Sequence, residues 1–131
     1  MQHFDLGFAR ISRLESDIYE VTAAPAIEID AEMSQRFHRF LGEEIGTPCH
    51  LLIDKQHDYS LSLEAMRSTG DHPLIRGMAF LVYRHSTARI VELQQRLMRN
   101  RNLPVATFRN RELALDWLRD LAYPLRNSQA S

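Results

Sequence analysis

The chain has 131 residues, 44% of them hydrophobic and 25% charged, with a formal net charge of −1, which is the composition of a soluble globular protein. No apolar run approaches the ~20 residues that cross a bilayer, and the N-terminal residues lack the basic and apolar regions of a signal peptide. We therefore expect a cytoplasmic protein without a membrane span, folded as a single domain over residues 1–131.

Two short runs with β-type alternation open the chain. Residues 4–14 alternate in part, and residues 18–21 resume the pattern after Ser16 and Asp17. Runs this close together predict an antiparallel hairpin, which Pro25 ends.

The next segment has the pattern of an amphipathic helix over residues 31–45. Asp30 is a suitable N-cap, and Gly46 followed by Pro48 is a suitable end. The apolar residues that share one face are Met33, Phe37, Phe40, Leu41 and Ile45.

A short apolar run, residues 49–53, ends at Asp54 and is typical of a buried strand. Cys49 is the only cysteine, which excludes an internal disulfide, and we expect it to be a small core residue. Ser62 is placed to cap a short helix, and residues 68–73 form a strong break.

Residues 78–83 are apolar without alternation, as in a strand that is covered on both faces. At Arg84 the period changes, and Ile90, Leu93 and Leu97 recur at helical spacing. The pattern predicts a helix over residues 84–98 whose apolar face carries these three residues. Ser86 or Thr87 is placed to cap its start.

Residues 105–108 predict a last strand, and Asn110 can cap a last helix that Pro124 ends. The apolar face of that helix consists of Ala114, Trp117, Leu118 and Leu121. The resulting order, ββαβαβαβα, predicts an α/β fold. Its single-layer mixed sheet would have four to five strands, an N-terminal hairpin plus parallel strands, covered by three main helices.

Three of these pieces resemble the SpoIIAA-like group of bacterial proteins, small relatives of the STAS and Sec14-type lipid-binding fold. They are the apolar strand ending in Asp54, the strand and helix over residues 78–98, and the closing residues 104–118. With the hairpin, the resemblance covers nearly the whole chain. It implies a regulator that binds a partner, a nucleotide or a lipid rather than a catalyst.

The resemblance also directs attention to one serine position. STAS antagonists of anti-sigma factors resemble one another in a phosphorylated serine, usually in an Asp-Ser pair. The matching segment here, residues 54–62, contains no Asp-Ser pair, and Ser60 and Ser62 are only loose counterparts.

Polar residues follow each predicted parallel strand, and the carboxyl ends of such strands share a ligand-binding edge. The tentative ligand-binding residues are Asp54, His57, Arg84, His85, Ser86, Arg109 and Asn110. Helix amides behind Ser86 and Asn110 can hold an anion with help from Arg84 or Arg109. The alternative is that these residues cap helices and that the arginines are solvated.

Motifs for catalysis, metal or cofactor binding are absent from the sequence. The six histidines have no His-x-His or His-Glu-x-x-His spacing, and no P-loop, Gly-x-Gly-x-x-Gly or Gly-x-Ser-x-Gly segment occurs. We assign no catalytic residue, no metal site and no cofactor. A minor enzyme that uses Asp54, His57 and His85 stays open as a third hypothesis.

Charge is unevenly distributed along the chain. Residues 1–72 carry 13 acids and 6 bases, residues 73–131 carry 4 acids and 10 bases, and Lys55 is the only lysine. One stripe of the helix over residues 84–98 and just beyond it carries His85, Arg89, Glu92, Arg96 and Arg99. This stripe is either a solvated face or a docking surface for an acidic partner. Nucleic acid is not expected, because no aromatic residues interleave the bases.

These observations favour a small cytoplasmic, non-enzymatic binding or regulatory protein of STAS-like type. The alternative is a carrier of a lipid or of an apolar small molecule. A protein partner, a homodimer, and a lipid or anion ligand all stay open.

Overall fold

A computed structural model describes the backbone of residues 2–130 and the side chains of residues 2–123. The strands are β1 (His3–Asp5), β2 (Ala9–Glu15), β3 (Ile18–Ala23), β4 (Glu28–Ile29), β5 (Cys49–Asp54), β6 (Ser60–Leu61), β7 (Ile75–Leu81) and β8 (Val105–Phe108). The helices are α1 (Ala31–Phe40), α2 (Leu63–Ser68), α3 (His85–Leu97) and α4 (Arg111–Ala130).

Six strands form one mixed sheet in the order β1-β2-β3-β5-β7-β8. The pairs β1/β2 and β2/β3 are antiparallel, and the three pairs from β3 to β8 are parallel. The predicted α/β class, the hairpin and the parallel strands are confirmed. The main sheet has six strands rather than four to five, because the chain turns at Gly7 (φ +89°) and residues 3–5 pair as a separate edge strand. Strands β4 and β6 form a second, two-stranded parallel sheet.

Side-chain caps fix the starts of three helices as the sequence predicts. Asp30 accepts a hydrogen bond from the Met33 amide at 2.9 Å, and Ser62 accepts one from the Ala65 amide at 3.2 Å. Asn110 accepts one from the Leu113 amide at 3.1 Å. Helix α1 continues as a π-helical turn (Leu41–Ile45) and ends at Gly46, whose φ of +65° suits a glycine. The predicted helix over residues 31–45 is therefore confirmed.

The two faces of the sheet have different covers. Helix α4 packs on one face, where Leu52 and Leu81 contact Leu118 and its neighbours. Helices α1, α2 and α3 cover the other face, where Leu51 and Phe80 lie in the larger apolar cluster. Every residue of β5 is buried, including Cys49. The buried strand predicted over residues 78–83 is also confirmed, although β7 begins earlier, at Ile75, and Tyr83 is exposed.

The predicted apolar face of helix α3 is wrong. Val91, Gln94 and Met98 face the core, whereas Ile90 and Leu93 are 47% and 49% exposed. The reason is that apolar residues occur on both faces of the helix and a glutamine takes one of the core positions, so that the apolar spacing alone does not identify the buried face. The predicted cap is also wrong. Helix α3 begins at His85, directly after the extended Arg84, and Arg84 makes no side-chain cap bond, so neither Ser86 nor Thr87 precedes the first turn.

Helix α4 buries the predicted face, with Ala114 and Leu118 fully enclosed and Trp117 partly enclosed. Its predicted end at Pro124 is wrong, because the helical backbone continues to Ala130. A proline inside a helix removes one backbone hydrogen bond and its ring crowds the preceding turn, which costs stability but does not by itself stop the backbone from continuing in helical form.

Candidate functional site

A cavity of about 90 Å³ lies between the sheet and helices α1, α2 and α3. We call it the inner cavity. Its walls are mainly apolar and come from the sheet, the helices and the β4/β6 pair. They include Val21, Ile53, Met78 and Phe80 on the sheet, Met33, Phe37 and Ala65 on the helices, and Ile29 and Leu61 on the small sheet. Apolar walls with a few oriented polar groups are typical of a small-molecule site, although this cavity is smaller than most such sites.

Among the described residues that line the inner cavity, Lys55 is the one that carries a charge. It directly follows β5, and its amide still donates to the carbonyl of Leu81 at 2.9 Å. Because side chains alternate along a strand, Lys55 lies on the same face as Leu51 and Ile53, beneath the helices. The residue is only 4% exposed.

The Lys55 ammonium has aromatic neighbours and one weak hydrogen-bond partner. Its Nζ lies 4.4 Å from the ring centre of Tyr59 and 5.6 Å from that of Phe80. It donates to Oε1 of Gln94 at 3.4 Å. Gln94 is held in turn, because its Nε2 donates to Oγ1 of Thr69 at 2.9 Å. The contacts orient the amine within the inner cavity.

Burial lowers the pKa of Lys55 to about 8. The amine is therefore mostly protonated at pH 7. Among the described side chains, no carboxylate oxygen lies within 4.0 Å of its Nζ. Within the part of the chain that the structure describes, the charge of this buried cation is offset by two aromatic rings and one amide oxygen.

Two other titratable groups line the inner cavity, and both are neutral at pH 7. Burial, together with nearby His72, lowers the pKa of His38. Burial raises the pKa of Tyr59. The described residues of the lining therefore present a single positive charge in an apolar surrounding.

A separate polar cluster lies on the opposite face of the sheet, beneath helix α4. Arg111 binds Glu20 through two hydrogen bonds of 2.6 and 2.8 Å, and its Nη1 is 3.8 Å from Oδ2 of Asp54. Burial and the adjacent Glu20 raise the pKa of Asp54 to about 6, whereas the hydrogen bond from Arg111 lowers the pKa of Glu20. The cluster anchors α4 to β3 and β5.

The other residues predicted to bind a ligand lie at the surface. Arg84 pairs with exposed Asp58, and the Arg109 guanidinium is 3.5 Å from Nδ1 of His85. His57 and Ser86 are exposed, and Asn110 caps α4. The structure thus forms two surface pairs and holds Asp54 apart beneath α4. A ligand site made from this set stays a prediction.

The structure adds two negative observations about the described residues. Their side chains contain no group of three or more His, Cys, Asp or Glu that could hold a metal ion. None of their helices combines the length and apolar character that a bilayer crossing requires.

Lys55 is absent from the residues that the sequence pointed to as a site. The sequence did contain a signal for this site. Leu51, Ile53 and Lys55 occur at every second position, so their side chains lie on the same face of the strand, and Lys55 is the only lysine. Lys55 is buried because helices α1, α2 and α3 cover the end of the strand. No pattern within residues 49–55 predicts that these helices lie there.

The sheet order and the helix layers define an α/β protein with a SpoIIAA-like fold. The chain is similar to the crystal structure of an uncharacterised protein of the DUF3478 family, with a SpoIIAA-like fold, from Shewanella loihica. The TM-score is 0.58 at 19% sequence identity, over 84% of this chain and 91% of the other. No family model and no curated protein sequence matches the chain. The likeness therefore establishes the fold alone.

Proposed function

We propose that this chain is a non-enzymatic binding protein, regulatory or carrier in type, that holds one compact apolar ligand in the inner cavity. The observation that carries the proposal is the cavity itself. Its walls are mainly apolar, it lies between three helices and the sheet, and Lys55 is the one charged group among its described lining residues, oriented by a hydrogen bond to Gln94. Protein interiors are otherwise packed with few spaces larger than a water molecule.

The volume limits the size of the enclosed part of the ligand. A cavity of about 150 Å³ holds benzene, so scaling to this cavity allows roughly four non-hydrogen atoms. A longer ligand must extend outwards or displace side chains. The unbranched Met33 side chain is well suited to such adjustment.

The polar groups around the inner cavity support binding rather than bond breaking. The Ser34 hydroxyl is 2.8 Å from the Ser68 hydroxyl, and Gln94 is bonded to Thr69. The hydroxyls of Ser34 and Thr69 are therefore engaged with Ser68 and Gln94, neither of which is a general base.

The test is whether small neutral apolar molecules enter the inner cavity. Xenon and butan-1-ol are added to the protein, and methyl NMR shifts are followed. We expect shifts at Ile53 and Leu61, which line the cavity, and little change at Leu52 and Leu118 on the opposite face.

Two variants and one control sharpen the test. Ala65→Leu and Ala23→Val fill the inner cavity from opposite sides and should each reduce the shifts. Ile90→Ala changes an exposed residue outside the lining and should leave them intact. Absence of shifts at Ile53 and Leu61 in the wild-type protein would overturn the proposal.

A further inference from the structure

The buried ammonium of Lys55 has fewer partners than its chemistry requires. An ammonium carries three donors, and Lys55 uses one of them in a hydrogen bond of 3.4 Å to Gln94. The rings of Tyr59 and Phe80 offset part of its charge. A buried cation is costly to keep unless it is paired. A ligand with a negative charge in the inner cavity would supply the missing partner.

We infer that the ligand is a small monocarboxylate, with its carboxylate paired to the Lys55 ammonium and its apolar body in the inner cavity. This inference rests on the proposed function, because it requires the cavity to accept a ligand. It goes further by naming the charged group of the ligand and the residue that recognises it.

The charge of the site selects a carboxylate over a phosphate monoester. Lys55 contributes one positive charge, and His38 is held neutral by burial. A phosphate monoester carries about −1.5 to −2 charges at pH 7, which would leave excess negative charge among apolar walls. A carboxylate carries one negative charge and matches the ammonium.

The shape of the site selects a short or branched acid. With room for roughly four enclosed non-hydrogen atoms, acids of about three to five carbons place their chains within the walls. Phe80 and Met78 provide the apolar contacts for that chain.

A nearly isosteric pair of probes tests the inference, namely 2-methylpropanoate and 2-methylpropanamide. They differ in charge but scarcely in size. Calorimetric titration at pH 7 should give at least tenfold tighter binding of the acid to the wild-type protein. Above pH 8 the affinity for the acid should decrease as Lys55 loses its proton, and the affinity for the amide should stay constant.

Lys55→Met retains the length of the stem and removes the charge. It should weaken binding of the acid at least tenfold and change binding of the amide less than threefold. Lys55→Gln is a second charge-removing variant if the methionine protein does not fold. Arg101→Met is the matched control, because it removes an exposed cation outside the lining and should leave both affinities unchanged.

The outcomes separate this inference from the proposed function. Equal wild-type affinities for acid and amide overturn the inference and leave the proposed function standing. Entry of xenon and butan-1-ol with no binding of the acid likewise overturns the inference and leaves the proposed function standing. Tighter binding of propan-2-yl phosphate than of the acid overturns the choice of a monocarboxylate. Exclusion of all the probes overturns both.

Discussion

Asp54 and Lys55 are consecutive residues whose buried side chains lie on opposite faces of the sheet. Asp54 is 3% exposed and lies beneath α4 near Arg111, whereas Lys55 is 4% exposed and lies beneath the other three helices. The lowered pKa of Lys55 arises from burial alone, without a contribution from Asp54. Two opposite charges that are adjacent in sequence are therefore separated by the sheet, and each must be stabilised by its own surroundings.

Lys55→Met should stabilise the protein without ligand. A decrease of the pKa from 10.5 to about 8 corresponds to a cost of about 3 kcal/mol at pH 7. Removing this cost stabilises the variant. Part of that stabilisation is offset, because the Gln94 oxygen and the aromatic rings lose their contacts with the ammonium. We expect the free energy of unfolding, measured in urea at pH 7, to increase by about 1–2 kcal/mol. A decrease of that size would contradict this account of the site.

The stabilisation by Lys55→Met should depend on pH in a defined window. Below pH 8 the lysine is protonated in both the folded and the unfolded state, so the full cost of the buried charge is present. Between pH 8 and about 10.5 the unfolded state retains a proton that the folded state has released, so wild-type stability increases relative to the variant. Urea unfolding at pH 7 and pH 9.5 should show a smaller difference at the higher pH. A difference that does not change would argue against a lowered pKa.

Arg111→Met should destabilise the protein by about 2 kcal/mol at pH 7, because Glu20 and Asp54 lose their common cation. The lowered pKa of Glu20 means that its stabilisation is present above its ordinary pKa and is lost as the pH decreases. The difference between the variant and the wild-type protein should therefore begin to shrink as the pH falls below 4.5, the ordinary pKa of the glutamate, and should continue to shrink at lower pH. Thermal unfolding from pH 7 down to acidic pH measures this convergence. Arg84→Met, at an exposed pair, should change stability by less than about 0.5 kcal/mol.

Gly77→Ala should disrupt the contact between helix α4 and strand β7. A Cβ at this position would overlap Cδ2 of Leu121 and lie 3.2 Å from Cδ2 of His50. We expect a loss of about 1–3 kcal/mol in unfolding free energy. Gly42→Ala is the matched control, because the nearest atom, Nε2 of His72, is 3.8 Å away. A variant at Gly77 that is as stable as the one at Gly42 would show that α4 can move without cost.

Substitutions on helix α3 test which face of that helix is buried. Val91 is fully buried and Ile90 is 47% exposed, although the two are adjacent. Val91→Ala should cost about 2 kcal/mol in unfolding free energy, and Ile90→Ala less than about 1 kcal/mol. Equal losses of unfolding free energy for the two variants, measured in urea, would instead support the buried face that the apolar spacing predicts.

Local signals predicted most of the fold. Asp30, Ser62 and Asn110 act through hydrogen bonds within three residues, so a short stretch of sequence is enough to identify the caps. The apolar runs around Leu51 and Phe80 likewise identify strands that are covered on both faces.

Features that depend on distant contacts were missed. Gln94 is buried because Thr69 and Lys55 bind its amide, and neither partner is near it in sequence. This one polar residue in the core led the spacing of Ile90 and Leu93 to indicate the wrong face. The inner cavity depends on the same long-range packing. The position of Lys55 in the lining therefore becomes apparent only from the structure, in which the covering helices are placed.

The single lysine of this chain has a practical consequence for spectroscopy. Protein prepared with isotope-labelled lysine carries its side-chain signal from the inner cavity alone, without overlap from any surface amine of the same residue type. The chemical shift of the ε-carbon and of its attached protons can therefore follow both protonation and occupancy in one sample.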